Sequence, residues 1–492
     1  MITLALSVTL LVLGYLVYGR VAERFFGMDP LRTTPAFEKN DGIDYIPMKG
    51  WRVFMIQFLN IAGLGPIFGA ILGAMYGPVV YIWIVLGCIF MGATHDYFGG
   101  MLSVRNGGAS LPELVGNYLG KPMRMFLRVF TLFLLIFVGV AFVSGPAKLL
   151  FTMTGFSLPF WLGLIFFYYI LATLLPIDKI IGLLYPFFGA ALIFMAVGVF
   201  GSLIVKYAAG NITLMELTPA NLMNFQADAA TNSIFPFLFI VVSCGAISGF
   251  HATQSPLMAR CLRSEKQGRQ IFYGAMIAEG IVAMIWATAA MNYMGDVHGL
   301  NYAFTHPLAD NPAVRPDPAW LVNEICRSWL GKAGAVIAVI GVVACPVTSG
   351  DTAFRSARLT IADMLKIPQK KISSRLLIVV PVFAVAFVLT FVMKDEFARI
   401  WKFVGISNQA LAAITCWTIA MYLGMKGKNH LMMSLPALFL TAVCVTYLLA
   451  APHSGGGLAL PPVISVIIGV ISAAAAMVLF MAVLRKKSRT VQ

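Results

Sequence analysis

The sequence predicts an all-α polytopic membrane protein of about thirteen transmembrane helices, built as two inverted five-helix halves with peripheral helices at both ends. Composition is the first reason. Of 492 residues 60% are hydrophobic and 11% charged, and the mean hydropathy of +0.86 is beyond any soluble domain of this length. The second reason is the spacing of apolar runs. They fall near 1–19, 53–76, 79–103, 125–145, 158–176, 180–205, 233–257, 271–294, 333–353, 374–393, 408–425, 430–450 and 460–484. The third is that two of these runs, 53–76 and 233–257, carry helix breakers at mid-membrane depth.

The first break holds Gly63, Gly65 and Pro66, and the second holds Cys244-Gly245-Ala246-Ile247-Ser248-Gly249-Phe250-His251 ahead of Pro256. Backbone freed from a helix in hydrocarbon is tolerated only inside protein or beside a water-filled cavity, and transporters place substrates at such breaks. Gly63, Gly65, Pro66, Gly245, Ser248, Gly249 and His251 are therefore the candidate substrate-binding residues. Glycines that merely let helices pack closely are the alternative.

Charge sets the orientation. With the N-terminus outside, 27 of the 35 Lys and Arg residues fall on inside segments and 8 on outside ones, which predicts N-out, C-in in the cell inner membrane. The net charge of +15 then reflects topology and attraction to the lipid bilayer rather than nucleic-acid binding. Residues 1–18 lack a positive residue ahead of the apolar run, so they read as a first span and not a secretory signal. In this orientation 53–76 runs inside to outside, and 233–257, five spans later, runs outside to inside. That is the five-plus-five inverted repeat of LeuT-type transporters. It divides the chain into a peripheral helix and cytoplasmic loop (1–52), a first repeat (53–206), a second repeat (207–425), and two peripheral helices with a basic tail (426–492).

Within the loop 20–52, Asp29-Pro30, Thr34-Pro35-Ala36 and Asn40-Asp41-Gly42-Ile43-Asp44-Tyr45-Ile46-Pro47 form a polar, turn-rich stretch. Together with Ile61-Ala62-Gly63-Leu64-Gly65-Pro66-Ile67-Phe68-Gly69, His95-Asp96-Tyr97 and Arg105-Asn106-Gly107-Gly108-Ala109-Ser110-Leu111, it resembles the carbon starvation protein CstA family. Gly245-Ala246-Ile247-Ser248-Gly249-Phe250-His251-Ala252, Asp351-Thr352-Ala353-Phe354-Arg355 and Phe403-Val404-Gly405-Ile406-Ser407-Asn408-Gln409 extend the resemblance over nearly the whole chain, in the family's order. It implies a member of the amino acid, polyamine and organocation transporters that takes up peptides or small carboxylates such as pyruvate under carbon limitation.

Polar groups inside spans are the remaining candidates, because ionisable residues at that depth are costly without a partner. His95 and Asp96 are either a gate or proton-relay pair or a structural pair with Arg105 or another basic loop residue. Glu279, near the middle of 271–294, must be protonated, paired or facing water. In 333–353 and just beyond, Thr348, Asp351, Thr352 and Arg355 share one helical face, with Ser349 beside them. Thr348, Ser349, Asp351 and Thr352 are the candidate ion-coupling residues and Arg355 a gate candidate, with an Asp351–Arg355 pair at the helix end as the structural alternative. Ser110 and Glu113 have capping-box spacing, and Asp178-Lys179 reads as a tight turn.

Seven scattered cysteines without Cys-x-x-Cys spacing indicate neither disulfides nor a metal cluster. His298, His306, Asp310 and Asp317 match no ligand motif and read as a solvated loop. No phosphate-binding Gly-rich loop and no His-Glu-x-x-His motif occurs in the sequence. The chain therefore reads as a secondary transporter and not an enzyme, with no cofactor, a small-molecule substrate, and H+ or Na+ as coupling ion. An amino acid or other organic-ion symporter is the alternative, followed by an intramembrane enzyme or sensor.

Overall fold

The computed structural model describes residues 1–175, 181–308, 316–392 and 397–491, and every regular element among them is helical. The turn at Asp178-Lys179 and the loop residue Asp310 lie outside the described residues. The helices in chain order are α1 (Ile2–Phe26), α2 (Gly50–Ile61), α3 (Gly65–Ala74), α4 (Val79–Arg105), α5 (Leu111–Leu119), α6 (Lys121–Thr154), α7 (Leu158–Leu174) and α8 (Ile181–Ala208). They continue with α9 (Gly249–Ala259), α10 (Glu265–Tyr293), α11 (Val297–Thr305), α12 (Pro318–Leu365), α13 (Ile372–Val392), α14 (Phe397–Met425), α15 (Leu431–Ala450) and α16 (Pro462–Val491).

Among the described residues, ten helical segments are individually long and apolar enough to cross a bilayer, and α2 with α3, bent by 52° at residues 62–64, makes an eleventh. The two other expected spans are shorter helices. The first is α7, of 17 residues, and the second is split into turns at Ile234–Leu238 and Phe239–Val241 followed by α9. Both shortfalls come from prolines and glycines that stop a helix before it reaches membrane length.

Burial separates core from periphery. The apolar stretch of α10 is 83% buried and those of α4 and α12 are 72% and 71%, whereas α1 and α16 reach only 28% and 22% and turn most of their apolar surface outward. The long helix α12 packs along α6, α8 and α7, while α9 packs against α4, α14 and α2. Asp317 starts α12 by accepting from the Trp320 N–H at 2.8 Å, and Gly331, at φ +68°, kinks it a few turns later. The Ser110–Glu113 capping box does not form. Ser110 occupies the N-cap of α5 without a side-chain capping bond, and the Glu113 carboxylate turns to Arg128 at 2.6 Å and Arg124 at 3.4 Å instead of back to the N-cap.

Candidate functional site

The two breaks meet. The Cβ that any other residue would carry at Gly65 would lie 2.2 Å from the Cys244 Cβ, so the first break touches the second only because position 65 has no side chain. Gly245 has φ +87°, a left-handed backbone that favours glycine, and a Cβ there would meet the Ala283 Cβ at 2.7 Å. At Gly249, which opens α9, a Cβ would fall 2.3 Å from both the Ala412 N and the Asn408 O of α14. Pro66 and Ser248 are buried at the same junction. These glycines hold backbones together at the junction itself.

The first orphan donors of α9 are taken by Asn408. Its Oδ1 accepts from the Phe250 N–H at 2.6 Å and from the Ser248 hydroxyl at 3.1 Å. The neighbouring Gln409 amide donates to the Phe239 carbonyl at 2.6 Å, satisfying backbone released by the second break. On the other side, the Leu59 carbonyl at the end of α2 accepts from Ser349 at 3.0 Å and Thr348 at 3.4 Å. Thr352 turns its hydroxyl to the Thr348 and Ser349 carbonyls of its own helix.

Asp351 does not join them. Its carboxylate points to α7 and α8, where it accepts from Tyr168 at 2.8 Å and Tyr185 at 3.0 Å. The Asp351–Arg355 pair does not form either. Arg355 donates to Asp44 at 3.0 Å and to the Ala172 and Leu175 carbonyls. Sharing a helical face brought these residues to one side of α12, but neighbours at different heights took each of them.

His95, Asp96, His251 and Glu279 converge from α4, α9 and α10, all at most 1% exposed. His95 Nδ1 lies 2.8 Å from Asp96 Oδ1, and His251 Nδ1 lies 2.8 Å from Asp96 Oδ2. His251 Nε2 sits 3.4 Å from Glu279 Oε2, outside hydrogen-bond geometry, and among the described residues neither Glu279 oxygen has a well-formed hydrogen bond, with the Gly245 backbone as a further polar neighbour. The pairing of Asp96 with Arg105 is absent, since Arg105 binds Glu265 at 3.0 Å and leaves Asp96 to the two imidazoles. Cys244 adds a thiol to this group: its Sγ, a nitrogen of His251 and an oxygen of Glu279 all lie within 4.8 Å of one another.

A cavity of about 570 Å³ ends on this junction. Gly65, Phe142, Phe250 and Asn408 lie at its buried end, Cys244 is partly exposed in its wall, and Asp317 and Lys402 stand at its exposed rim. The opposite face is shut by the loop between α1 and α2, which folds under α9 and α12. Thr34 donates to the Leu262 carbonyl at 2.5 Å, the Met48 N–H to the Cys261 carbonyl at 3.1 Å, and Asp44 holds both Arg355 and Arg358 at 3.0 Å. Burial pushes the Asp44 carboxyl up, but Arg358, Arg355 and Arg260 outweigh it and hold the group well below the ordinary carboxylate range.

Asn408, Cys244 and Asp44 are thus site residues that sequence reasoning did not single out. For Asn408 a signal existed, because Asn-Gln at the start of an apolar run is costly in a membrane unless it binds something. Cys244 carried only its position at the start of the second break, and Asp44 carried none, since a loop carboxylate is ordinary until its neighbours are known.

The profile of the carbon starvation protein CstA family matches residues 1–144, 146–305 and 319–447. An uncharacterized membrane protein of Haemophilus influenzae is 45% identical over 61% of this chain and 92% of its own length. The peptide transporter CstA of Escherichia coli is 29% identical over 66% of this chain, and the pyruvate/proton symporter BtsT of the same species 27% over 58%. The matched regions span 54% and 48% of those two longer proteins. Among solved structures, a Na+-coupled sialic acid symporter superposes with a TM-score of 0.56 over 97% of this chain and 98% of its own, at 14% identity. A manganese transporter of Eremococcus coleocola does so at 0.51 over 90% and 96%, at 10% identity. At such identities the likeness is one of fold. The named relatives and structural neighbours are transporters, not enzymes.

Proposed function

The chain belongs to the carbon starvation protein CstA family, and from that premise we propose that it is a secondary transporter importing a peptide or a small carboxylate such as pyruvate, driven by proton symport. The observation that carries this reading is the cavity of about 570 Å³, open at the rim of Asp317 and Lys402 and closed at the junction of the two broken helices. One side open and the other latched by Asp44 is the geometry of one limb of alternating access. The rim then faces outside and the Asp44 latch the cytoplasm, as the Lys/Arg bias expects, with 53–206 and 207–425 as the inverted repeats.

Asp351 is the coupling residue in this reading. Among the described residues no cation lies within ion-pair distance of it; Tyr168 and Tyr185 donate to its carboxylate, while Arg355 on the next turn is committed to Asp44. Gaining and losing a proton there would loosen and restore the hold of α12 on α7 and α8. Na+ at the Leu59 carbonyl with the Ser349 and Thr348 hydroxyls is the second reading, favoured by the oxygens already gathered there.

Uptake of labelled pyruvate against labelled di- and tripeptides, in proteoliposomes carrying an imposed proton or Na+ gradient, tests the proposal. Accumulation of one class that follows the pH gradient and ignores Na+ is the expected result. No concentrative uptake of any of these substrates under either gradient overturns it.

A further inference from the structure

We propose that Cys244, His251 and Glu279 form a binding site for a divalent metal ion of the zinc class, set in the wall of the substrate cavity. The sequence pointed away from metal because its cysteines show no Cys-x-x-Cys spacing and its loop histidines match no ligand motif. The fold brings a thiol sulfur, an imidazole nitrogen and a carboxylate oxygen within 4.8 Å of one another. Sulfur, nitrogen and oxygen donors in one three-ligand set suit Zn2+ and its d-block relatives, and poorly suit Mg2+ or Ca2+.

Three independent observations point to a ligand at this place. Among the described residues, Glu279 is fully buried with neither oxygen in a well-formed hydrogen bond; the Gly245 backbone and His251 Nε2, at 3.4 Å, face it, and Nε2 is itself buried without a hydrogen bond. A buried carboxylate in that condition recovers little of its lost hydration, and a cation between the two groups would supply the rest. Next, the other face of His251 is already engaged. Asp96 lies 2.8 Å from Nδ1 and is itself held by His95, the carboxylate–histidine arrangement that leaves Nε2 free to ligate and fixes the ring. Last, the spacing of the nitrogen and oxygen donors suits the chemistry. Ligands at about 2.0–2.3 Å from a tetrahedral metal stand roughly 3.4 Å apart, and His251 Nε2 and Glu279 Oε2 are separated by 3.4 Å. The thiolate and the Glu279 carboxylate would neutralise a divalent ion, so the site adds no net charge to the protein interior.

Cys244 lines the cavity, which provides the ion's entry path and leaves the open coordination position facing the substrate. Resting on the transport reading above, a carboxylate oxygen of the transported molecule is the donor that fits there.

The test uses tag-free, full-length protein in detergent, stripped with a chelator and titrated with Co2+ as the spectroscopic substitute for zinc. One equivalent per chain should produce a near-ultraviolet thiolate-to-metal charge-transfer band together with tetrahedral visible bands. Cys244→Ser should abolish the charge-transfer band, Glu279→Gln should weaken binding at least tenfold, and Cys326→Ser, remote on α12, should leave the titration unchanged. Size-exclusion profile and circular dichroism identify any variant that fails to fold. Added pyruvate should shift the visible bands of the wild type. A folded wild type that shows no thiolate band in excess Co2+, or a band that survives Cys244→Ser, overturns the site and leaves His251 as an imidazole bridging two carboxylates. A metal site whose bands ignore both pyruvate and dipeptides overturns the substrate-coordination step alone. The titration needs no transport, so it stands or falls separately from the uptake experiment.

Discussion

Replacing Asp44 by Asn removes the one carboxylate shared by Arg355 and Arg358 while keeping its shape. The three side chains are 3%, 0% and 1% exposed, so neither guanidinium can turn to water when its counter-charge is lost. Breaking a buried ion pair from one side costs about 3–5 kcal/mol. Asn retains one acceptor, so the lower end, about 3 kcal/mol, is expected, which is roughly a 150-fold rise in the opened population at 1.4 kcal/mol per tenfold. Cys261 reports that opening: it is fully buried beneath the loop, and its carbonyl accepts from the Met48 N–H. The assay is the rate of maleimide labelling at Cys261, read by peptide mass spectrometry in membranes. A rise of less than tenfold would refute the reasoning. The sign with pH follows from the depressed Asp44 group. Its contribution is complete above the unfolded carboxylate value of about 3.9 and disappears only as pH falls through the lower folded value, so labelling of the wild type, divided at each pH by the rate of a free thiol whose thiolate fraction rises with pH, should be flat between about pH 5 and 8.

Gly65→Val should abolish substrate binding in a protein that still inserts and folds. Even the Cβ of Gly65→Ala falls 2.2 Å from the Cys244 Cβ and forces the two breaks apart, at about 1–3 kcal/mol for overpacking; affinity by scintillation proximity that stays within twofold for the alanine variant would remove the site from this junction. Asp351→Asn should lose gradient-driven accumulation yet retain counterflow, and a variant that still concentrates substrate with unchanged pH dependence would clear Asp351 of coupling. In a Cys244→Ser background, Asn40→Cys should label only from the cytoplasmic side and Ser454→Cys only from outside; labelling of both from one side would break the proposed topology, and the two sides exchanged would reverse it.

Much of this architecture was legible in the sequence because the bilayer imposes it. A run of apolar residues has one stable form in hydrocarbon, so α4, α6, α10 and α12 could be placed from hydropathy alone. The breaks were legible for the same reason, since Gly63, Gly65, Pro66, Gly245 and Gly249 interrupt runs that would otherwise be continuous helix. Charge gave Asp96, Glu279 and Asp351 as residues that must find partners in the membrane.

Which partners they found was a matter of tertiary structure. Helical spacing placed Asp351 and Arg355 four residues apart, yet Tyr168 and Tyr185 took the first and Asp44 the second, from segments more than 160 residues away in the chain. Asp96 met His251 across 155 residues, and Glu279 arrived beside them from a third helix. A side chain's rotation about its own helix is local and readable. The neighbour it meets depends on helix tilt, bend and height, which the packing of all the helices sets together; the 52° bend at residues 62–64 is one such angle. The sequence could therefore show that these charges needed company, and only the fold could show that Cys244, His251 and Glu279 keep it with one another.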